Sequence, residues 1–246
     1  MRAIPQDAID HALDAYPAES CGLVVDGEYV RCANQADKPG EHFILSPADY
    51  KAAASRGEVQ AIIHSHPDYP CAASEADLAG CEESELPWGI IEVRQGRYVR
   101  HRWYEPQGTE APLIGRKFYH GVHDCLSIIL DYYKRERGVD LGNFNREDGW
   151  WERGGDLYRE HLPAAGFVQV DDGPQDGDVV LMQIRSRVPN HAGVFLADGQ
   201  LRTEPSGYPV PGCILHHLYG QLSRRDVYGG MWAEKTVSIW RYDPKA

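Results

Sequence analysis

Residues 61–77 read AIIHSHPDYPCAASEAD, and this stretch decides the organisation of the first half of the chain. The apolar run that leads into His64 predicts a buried strand, and Pro67 predicts its end because proline cannot donate a ladder hydrogen bond. Side chains at i and i+2 of a strand leave the same face of the sheet. We therefore expect the imidazoles of His64 and His66 to lie side by side.

A carboxylate follows this histidine pair. Ser74 predicts the start of a helix that carries Asp77 in its first turn, although the two residues would also form an ordinary capping box. Two imidazoles and one carboxylate with a fourth position left open are typical of a catalytic zinc site. Hydrolysis also needs a base and a donor for the developing oxyanion. Glu19, in PAESCGLVV, is the candidate base, and Ser74 is the candidate donor.

The sequence around this stretch predicts a small mixed α/β unit. A helical stripe of apolar residues follows Pro5, CGLVVDGEYVRCANQ predicts a hairpin around Asp26-Gly27, and WGIIEV and RYVRHRWY predict a second hairpin. EPQGTEAPLIG contains two prolines, two glycines and no periodicity, so it predicts a boundary between domains. We expect a first domain over 1–104, a linker over 105–115 and a second domain over 116–246.

The second half predicts helices followed by an antiparallel sheet, which is an α+β arrangement. LSIILDYYKRERG predicts a helix from Leu126 to Gly138, and WWERGGDLYREHL predicts a second one that Gly154 and Gly155 weaken. Three β-rich runs then follow, separated by turns that contain glycine. These runs are GDVVLMQI, HAGVFLADGQL and KTVSIWRYD.

Cys125 stands directly before the first of these helices, where free backbone amides and the helix dipole favour a thiolate. A nucleophilic cysteine needs a histidine that accepts its proton and a polar residue that orients that histidine. His191 begins a predicted strand, and Ala192 and Gly193 leave room for a helix end beside it. The remaining cysteines form no CxxC pair. We expect them to be reduced thiols in a protein that is made in a cytoplasm.

Composition and charge exclude several classes of function. The chain has 246 residues, of which 42% are hydrophobic, and a net charge of −12. Such an acidic balance argues against nucleic acid as a partner. No apolar run approaches the roughly 20 residues of a membrane helix, and the start of the chain does not resemble a signal peptide. We expect a soluble protein without stable membrane insertion.

The first half resembles a known family of metalloproteases. HSHPDYPCAASEAD matches H-x-H-P, six residues and S-x-x-D, which is similar to the JAMM signature of the Mov34/MPN/PAD-1 family, and E-x-C-G at Glu19 resembles the upstream glutamate motif of that family. The resemblance implies cleavage of peptide or isopeptide bonds. It also implies Glu19 as general base and acid, Ser74 as the residue that steadies the tetrahedral intermediate, and Zn2+ held by His64, His66 and Asp77.

The second half resembles the NlpC/P60 cysteine peptidases, whose fold is papain-like. The similarity lies in D-C-x-S at the helix, then G-D-V-V, then H-A-G-V-F-L. It implies Cys125 as nucleophile, His191 as base and a third polar residue, normally a histidine shortly after the base. Here RTEPSGYPVPGC intervenes and His216 follows His191 by 25 residues. His216 is the preferred third residue, and His217 remains an alternative.

Together the two halves resemble a tail assembly protein family of lambda-like siphophages. The resemblance implies a virion protein of the tail tip, made in the host cytoplasm, with other tail-tip proteins as partners and bacterial peptidoglycan as the substrate of the second domain. Two other interpretations remain open. Both domains would be catalytically silent in a purely structural component, or the metalloprotease would trim a tail protein during assembly while the second domain only binds the wall.

Overall fold

The computed structural model describes residues 2–142, 146 and 149–245. The chain divides into two compact units, Met1–Glu110 and Ala111–Ala246. The boundary between them falls within 105–115, the segment predicted as a linker. Within the described ranges, every helix falls short of the length and apolarity of a membrane span.

The first unit is a five-stranded mixed sheet with three helices. Its elements are α1 (Gln6–Ala15), β1 (Cys21–Val25), β2 (Glu28–Cys32), α2 (Pro47–Ala54), β3 (Val59–Pro67), α3 (Glu75–Ser84), β4 (Trp88–Arg94) and β5 (Arg97–Tyr104). The strands lie in the order β2-β1-β3-β4-β5. Only β3 and β4 run parallel, and the other neighbours are antiparallel.

Both predicted hairpins of this unit are present. Asp26 (φ +48°) and Gly27 (φ +86°) form the first turn, and Gln95 (φ +49°) and Gly96 (φ +70°) form the second. Two successive left-handed residues match the twist of a tight hairpin, which is why glycine occupies one position of each turn. Helix α2 lies outside the predicted elements, and the side chain of Ser46 caps its start.

Strand β3 lies in the middle of this sheet, and its alternate side chains enter two different cores. Ile63 packs in the core beneath α1. Ile62 packs in the opposite core with Trp88 of β4 and Cys81 of α3. Because His64 follows Ile62 by two residues, its ring lies on the face that carries α3.

The second unit consists of short helices and a six-stranded sheet whose neighbouring strands are all antiparallel. Its elements are α4 (Ser127–Tyr132), a π-helical turn (Tyr133–Arg137), α5 (Leu157–His161), β6 (Phe167–Val170), β7 (Val179–Met182), β8 (His191–Leu196), β9 (Cys213–His216), β10 (Arg224–Val227), α6 (Met231–Lys235) and β11 (Thr236–Tyr242). The strands lie in the order β10-β9-β8-β7-β11-β6. Ile128 and Ile129 of α4 pack in one core with Val194 of β8 and Leu215 of β9.

The predicted α/β and α+β classes are confirmed. The second unit also contains elements that were not predicted, namely β6, β9, β10 and α6, and two predicted helices differ in detail. The helix predicted from Leu126 ends at Gly138 (φ +68°), as expected, but its last turn is π-helical. The helix predicted over WWERGGDLYREHL is confined to Leu157–His161, and the residues before it form turns. Gly154 adopts φ +82°, which an α-helix cannot contain, so the helix begins only after it.

Candidate metal site and candidate cysteine site

Three side chains of the first unit converge on one point. Nε2 of His64 lies 3.1 Å from Nε2 of His66. The carboxylate of Asp77 lies 3.3 Å from the first nitrogen and 3.4 Å from the second. All three residues are buried, and the structure brings together the three ligands that the sequence predicts.

Local structure explains this convergence. His64 and His66 leave the same face of β3, which ends at Pro67. The chain then returns to a complete capping box, in which the Asp77 amide donates to the Ser74 hydroxyl (3.1 Å) and the Ser74 amide donates to the Asp77 carboxylate (2.7 Å). The capping box fixes Asp77 in the first turn of α3, opposite the histidines.

The donor set fits an ion of the zinc type. Nδ1 of His66 donates to the carbonyl of Pro70 (2.7 Å), which leaves the lone pair on Nε2, directed at the cluster. Tetrahedral ligands at 2.0–2.1 Å are roughly 3.3 Å apart, close to the three separations found here. Burial lowers the pKa of His64. Burial alone would raise the pKa of Asp77, but the neighbouring imidazoles of His64 and His66 and the Ser74 amide together lower it.

Strand pairing brings Glu19 to the same cluster. Cys21 pairs with His64 across β1 and β3, so the residues just before β1 run alongside the end of β3. Burial raises the pKa of Glu19 to about 8, with smaller opposing effects from His66 and Asp77. Glu19 is therefore near enough to His66 and Asp77 for their charges to affect its pKa.

Asn34 holds the backbone of Glu19, although no motif in the sequence marks it as part of the site. Its Nδ2 donates to the carbonyl of Glu19 (3.0 Å) and to that of His42 (3.2 Å), while its Oδ1 accepts from the amides of Ala36 and Ile44. An asparagine followed by a turn is an ordinary loop signal, so only the fold connects Asn34 with the cluster.

In the second unit, Cys125 lines a cavity of about 160 Å³ together with His191 and Tyr158. The Tyr158 hydroxyl lies 3.1 Å from Sγ of Cys125. The walls are mostly aromatic and aliphatic, and their other large apolar side chains are Phe118, Trp150, Trp151, Leu157, Ile184, Leu218 and Tyr219.

The prediction that the helix start favours a thiolate at Cys125 is wrong for this structure. Burial raises the pKa of Cys125 to about 11, and the negative charge of Asp124 adds to the effect. The amides of Leu126 and Ser127 at the start of the helix both donate to Oδ1 of Asp124 (2.9 and 3.0 Å). The donors expected to stabilise a thiolate are therefore already occupied by a carboxylate.

His191 and His216 are joined by a hydrogen bond of 2.8 Å between Nε2 of the first and Nδ1 of the second. The pairing of β8 with β9 places Gly193 opposite His216, so the long insertion extends a hairpin and returns His216 to the base. A Cβ at Gly193 would lie 2.9 Å from Cβ of His216. The space at Gly193 thus admits His216, while the helix start approaches the neighbouring Ala192, whose backbone is hydrogen bonded to Cys125.

The structure separates the two neighbouring histidines. His217 is buried and lines the cavity, but its Nε2 donates to the carbonyl of Gln221 (3.0 Å). Burial lowers its pKa to about 4. His216, the preferred residue, is the one hydrogen bonded to His191.

Two further residues surround this pair and were not predicted. Nε2 of His216 lies 3.2 Å from the carboxylate of Asp226 on β10. The ring of Trp232 lies 4.6 Å from that of His216 and 6.1 Å from that of His191. Both residues lie far from Cys125 along the chain and belong to no short motif, so no pattern in the sequence indicated their role.

Both halves match known families. Residues 2–104 match the family described as prokaryotic homologs of the JAB domain, and residues 107–241 match the NlpC/P60 family. Among solved structures, a JAB1/MPN domain protein from Archaeoglobus fulgidus is 22% identical, with a TM-score of 0.28, over 44% of this chain and 86% of that protein.

Two phage proteins are similar to most of the chain. Tail tip assembly protein K of Escherichia phage N15 is 39% identical over 249 residues, which cover 98% of this chain and 96% of that protein. Tail tip assembly protein K of Escherichia phage lambda is 37% identical over 202 residues, which cover 80% of this chain and 89% of that protein. The chain therefore belongs to the tail tip assembly protein K family, in which a JAB-type domain precedes an NlpC/P60 domain.

Proposed function

We propose that the second unit is a cysteine endopeptidase that cleaves stem-peptide amides of bacterial peptidoglycan. The observation that carries this proposal is the 2.8 Å hydrogen bond between His191 and His216, because it orients a histidine that lines the same cavity as Cys125. A thiol, a base and a residue that orients the base are the parts that nucleophilic catalysis requires.

The reaction begins with the thiol in its neutral form, because burial raises its pKa to about 11. His191 accepts the proton as Sγ of Cys125 attacks the carbonyl carbon and an S–C bond forms. The C–N bond then breaks, and the amine leaves with the proton from His191. Water gives a proton to His191 and attacks the thioester, which releases the acid and restores the thiol.

The family supports the biological setting. We infer that the protein lies at the tail tip of a virion, is made in the host cytoplasm and contacts other tail-tip proteins. Cutting stem peptides there would open the wall for the tail. The net charge of −12 disfavours nucleic acid as a partner.

Digestion of purified sacculi tests this function. We expect Cys125→Ala to release muropeptides roughly 10³-fold more slowly than wild type, or slower still, because the nucleophile is lost. Cys213→Ala is the matched control, since it removes a buried thiol of β9 that does not line the cavity, and it should digest sacculi like wild type. Equal release by Cys125→Ala and wild type would refute the proposal.

For the first unit we propose a zinc metallopeptidase site. His64, His66 and Asp77 would hold the ion, which when bound supplies a Lewis acid for amide hydrolysis. Glu19 would move the proton between the attacking water and the leaving amine. The Ser74 hydroxyl, which accepts the Asp77 amide as a cap, keeps its own hydrogen for the developing oxyanion.

Metal analysis tests this second site. Wild type is expected to hold one zinc per chain, and His64→Ala and His66→Ala are expected to lose it. His101→Ala is the control, since this partly exposed histidine of β5 lies outside the cluster and should leave the zinc content unchanged. Full zinc content in both ligand variants would refute the assignment.

A purely structural tail-tip role is the second candidate, and the raised pKa of the Cys125 thiol, which keeps it protonated at neutral pH, favours it. Phage that carry Cys125→Ala distinguish the two. Complete tails that fail only at genome entry would support the enzyme. Tails that infect normally would support the structural role.

A further inference from the structure

The hydrogen-bond chain behind the cavity continues beyond His216. Its Nδ1 faces Nε2 of His191 at 2.8 Å, and its Nε2 faces Oδ2 of Asp226 at 3.2 Å. His216 is fully buried, and it lies on β9 between β8 and β10, which carry the two partners.

The chemistry of these atoms fixes the position of each hydrogen. A carboxylate only accepts hydrogen bonds, so Nε2 of His216 must carry the hydrogen that points at Asp226. Burial lowers the pKa of both histidines, so each ring is neutral and has a single N–H. Nδ1 of His216 is then an acceptor, and Nε2 of His191 must donate to it. The remaining nitrogen, Nδ1 of His191, keeps its lone pair.

We propose that Asp226 is a positioning residue for the cysteine peptidase reaction. Its carboxylate selects the tautomers of His216 and His191 so that Nδ1 of His191 is the acceptor for the thiol proton of Cys125. This inference rests on the proposed function. Without the carboxylate, both rings are free to adopt the opposite tautomer, in which Nδ1 of His191 carries a hydrogen and cannot accept another.

The groups around the pair are consistent with this role. Arg224 of β10 donates to both oxygens of Asp226 (3.1 and 3.0 Å), which holds the carboxylate in place. Trp232 of α6 covers the rings of both histidines, and a hydrogen bond shielded from water is stronger. On the other side, His191 faces His217 as well as the cavity that contains Cys125.

Alkylation of Cys125 by iodoacetamide measures this effect without any peptidoglycan. The full chain is treated across a range of pH, and the Cys125 peptide is quantified by mass spectrometry. We expect Asp226→Asn to slow alkylation at neutral pH by about tenfold or more, equivalent to about one unit in the apparent pKa of the thiol. Asp226→Glu should recover part of the rate. Asp172→Asn is the matched control, because Asp172 also accepts from an arginine, Arg241, away from the cavity, and it should react like wild type.

The outcomes separate this inference from the proposed function. If His191→Ala is slow and Asp226→Asn reacts at the wild-type rate at every pH, the role of Asp226 is overturned and the proposed base survives. If both variants react like wild type, both proposals are overturned. Imidazole ¹⁵N chemical shifts of the unaltered protein add a test that does not depend on the folding of a variant. A hydrogen on Nε2 of His191 supports the inference, and a hydrogen on Nδ1 overturns it.

Discussion

Each unit combines two histidines and one aspartate, but the two arrangements differ. In the first unit, Nε2 of His64, Nε2 of His66 and the Asp77 carboxylate face one another within 3.1–3.4 Å. In the second, a line of two hydrogen bonds connects His191 with His216 and His216 with Asp226. Converging lone pairs suit a cation, whereas a line of alternating donors and acceptors suits proton transfer.

Strand geometry produces this difference. His64 and His66 are two residues apart on β3, so both rings leave the same face in the same direction. His191 and His216 lie on neighbouring strands, where the missing side chain of Gly193 lets one ring approach the other. The same residue types therefore form two different arrangements according to how the backbone presents them. We call the converging group of His64, His66 and Asp77 the cage, and the hydrogen-bonded line of His191, His216 and Asp226 the relay.

The largest effect is expected from the relay. His191→Ala should slow muropeptide release from sacculi by roughly 10²- to 10⁴-fold, because the thiol loses its proton acceptor. His64→Ala should leave this rate unchanged, since its ring belongs to the other unit. Comparable losses in the two variants would contradict a separate relay in the second unit.

The cage should respond to metal and the relay should not. At free zinc of about 1,000 times Kd, binding stabilises the folded protein by about 4 kcal/mol. A chelator should therefore lower the unfolding midpoint of the first unit in wild type and have little effect in His66→Ala, as measured by calorimetry of the full chain. A chelator effect of equal size in His66→Ala would show that the ion binds elsewhere.

Two buried carboxylates, Asp124 in the second unit and Glu92 in the first, should differ in how much they stabilise the fold. Asp124 pairs with Arg146, and both side chains are buried (2% and 6% exposed). Glu92 pairs with Arg94 and Arg100, which are 52% and 62% exposed. Asp124→Asn should cost about 3 kcal/mol or more because a buried cation loses its counter-charge. Glu92→Gln should cost about 1 kcal/mol, since exposed arginines are solvated by water. Urea unfolding measures both costs, and equal costs would contradict this ranking.

The smallest expected effect is on the loss of folding stability at acidic pH. The pKa of His217 is lowered to about 4 by burial, against about 6.5 in the unfolded chain. Between these values the unfolded state binds more protons, so stability is complete above about 6.5 and falls as the pH drops towards 4. His217→Gln should reduce this loss by about 2 kcal/mol at pH 5, measured by urea unfolding at neutral pH and at pH 5. The surface variant His42→Gln should keep the wild-type pH dependence, and an unchanged dependence in His217→Gln would contradict the assignment.

Local patterns predicted the cage better than the relay. The H-x-H pair and the capping box at Ser74 involve neighbours in sequence, so periodicity and spacing were enough to predict that the three candidate ligands lie together. Asn34 and Asp226 act through contacts that only the sheet pairings create, and short motifs carry no information about them. The protonation of Cys125 also depends on burial and on the use of Asp124 as a cap, which the sequence does not reveal.

The central claim is that Cys125 performs the hydrolysis, and stepwise modification of this thiol tests it most directly. Methyl methanethiosulfonate would convert increasing fractions of Cys125 to a small mixed disulfide, quantified by mass spectrometry, with muropeptide release measured on the same samples. We predict that activity falls in proportion to the modified fraction, reaches zero at complete modification and returns with dithiothreitol. Activity that persists when every Cys125 is modified would contradict the account.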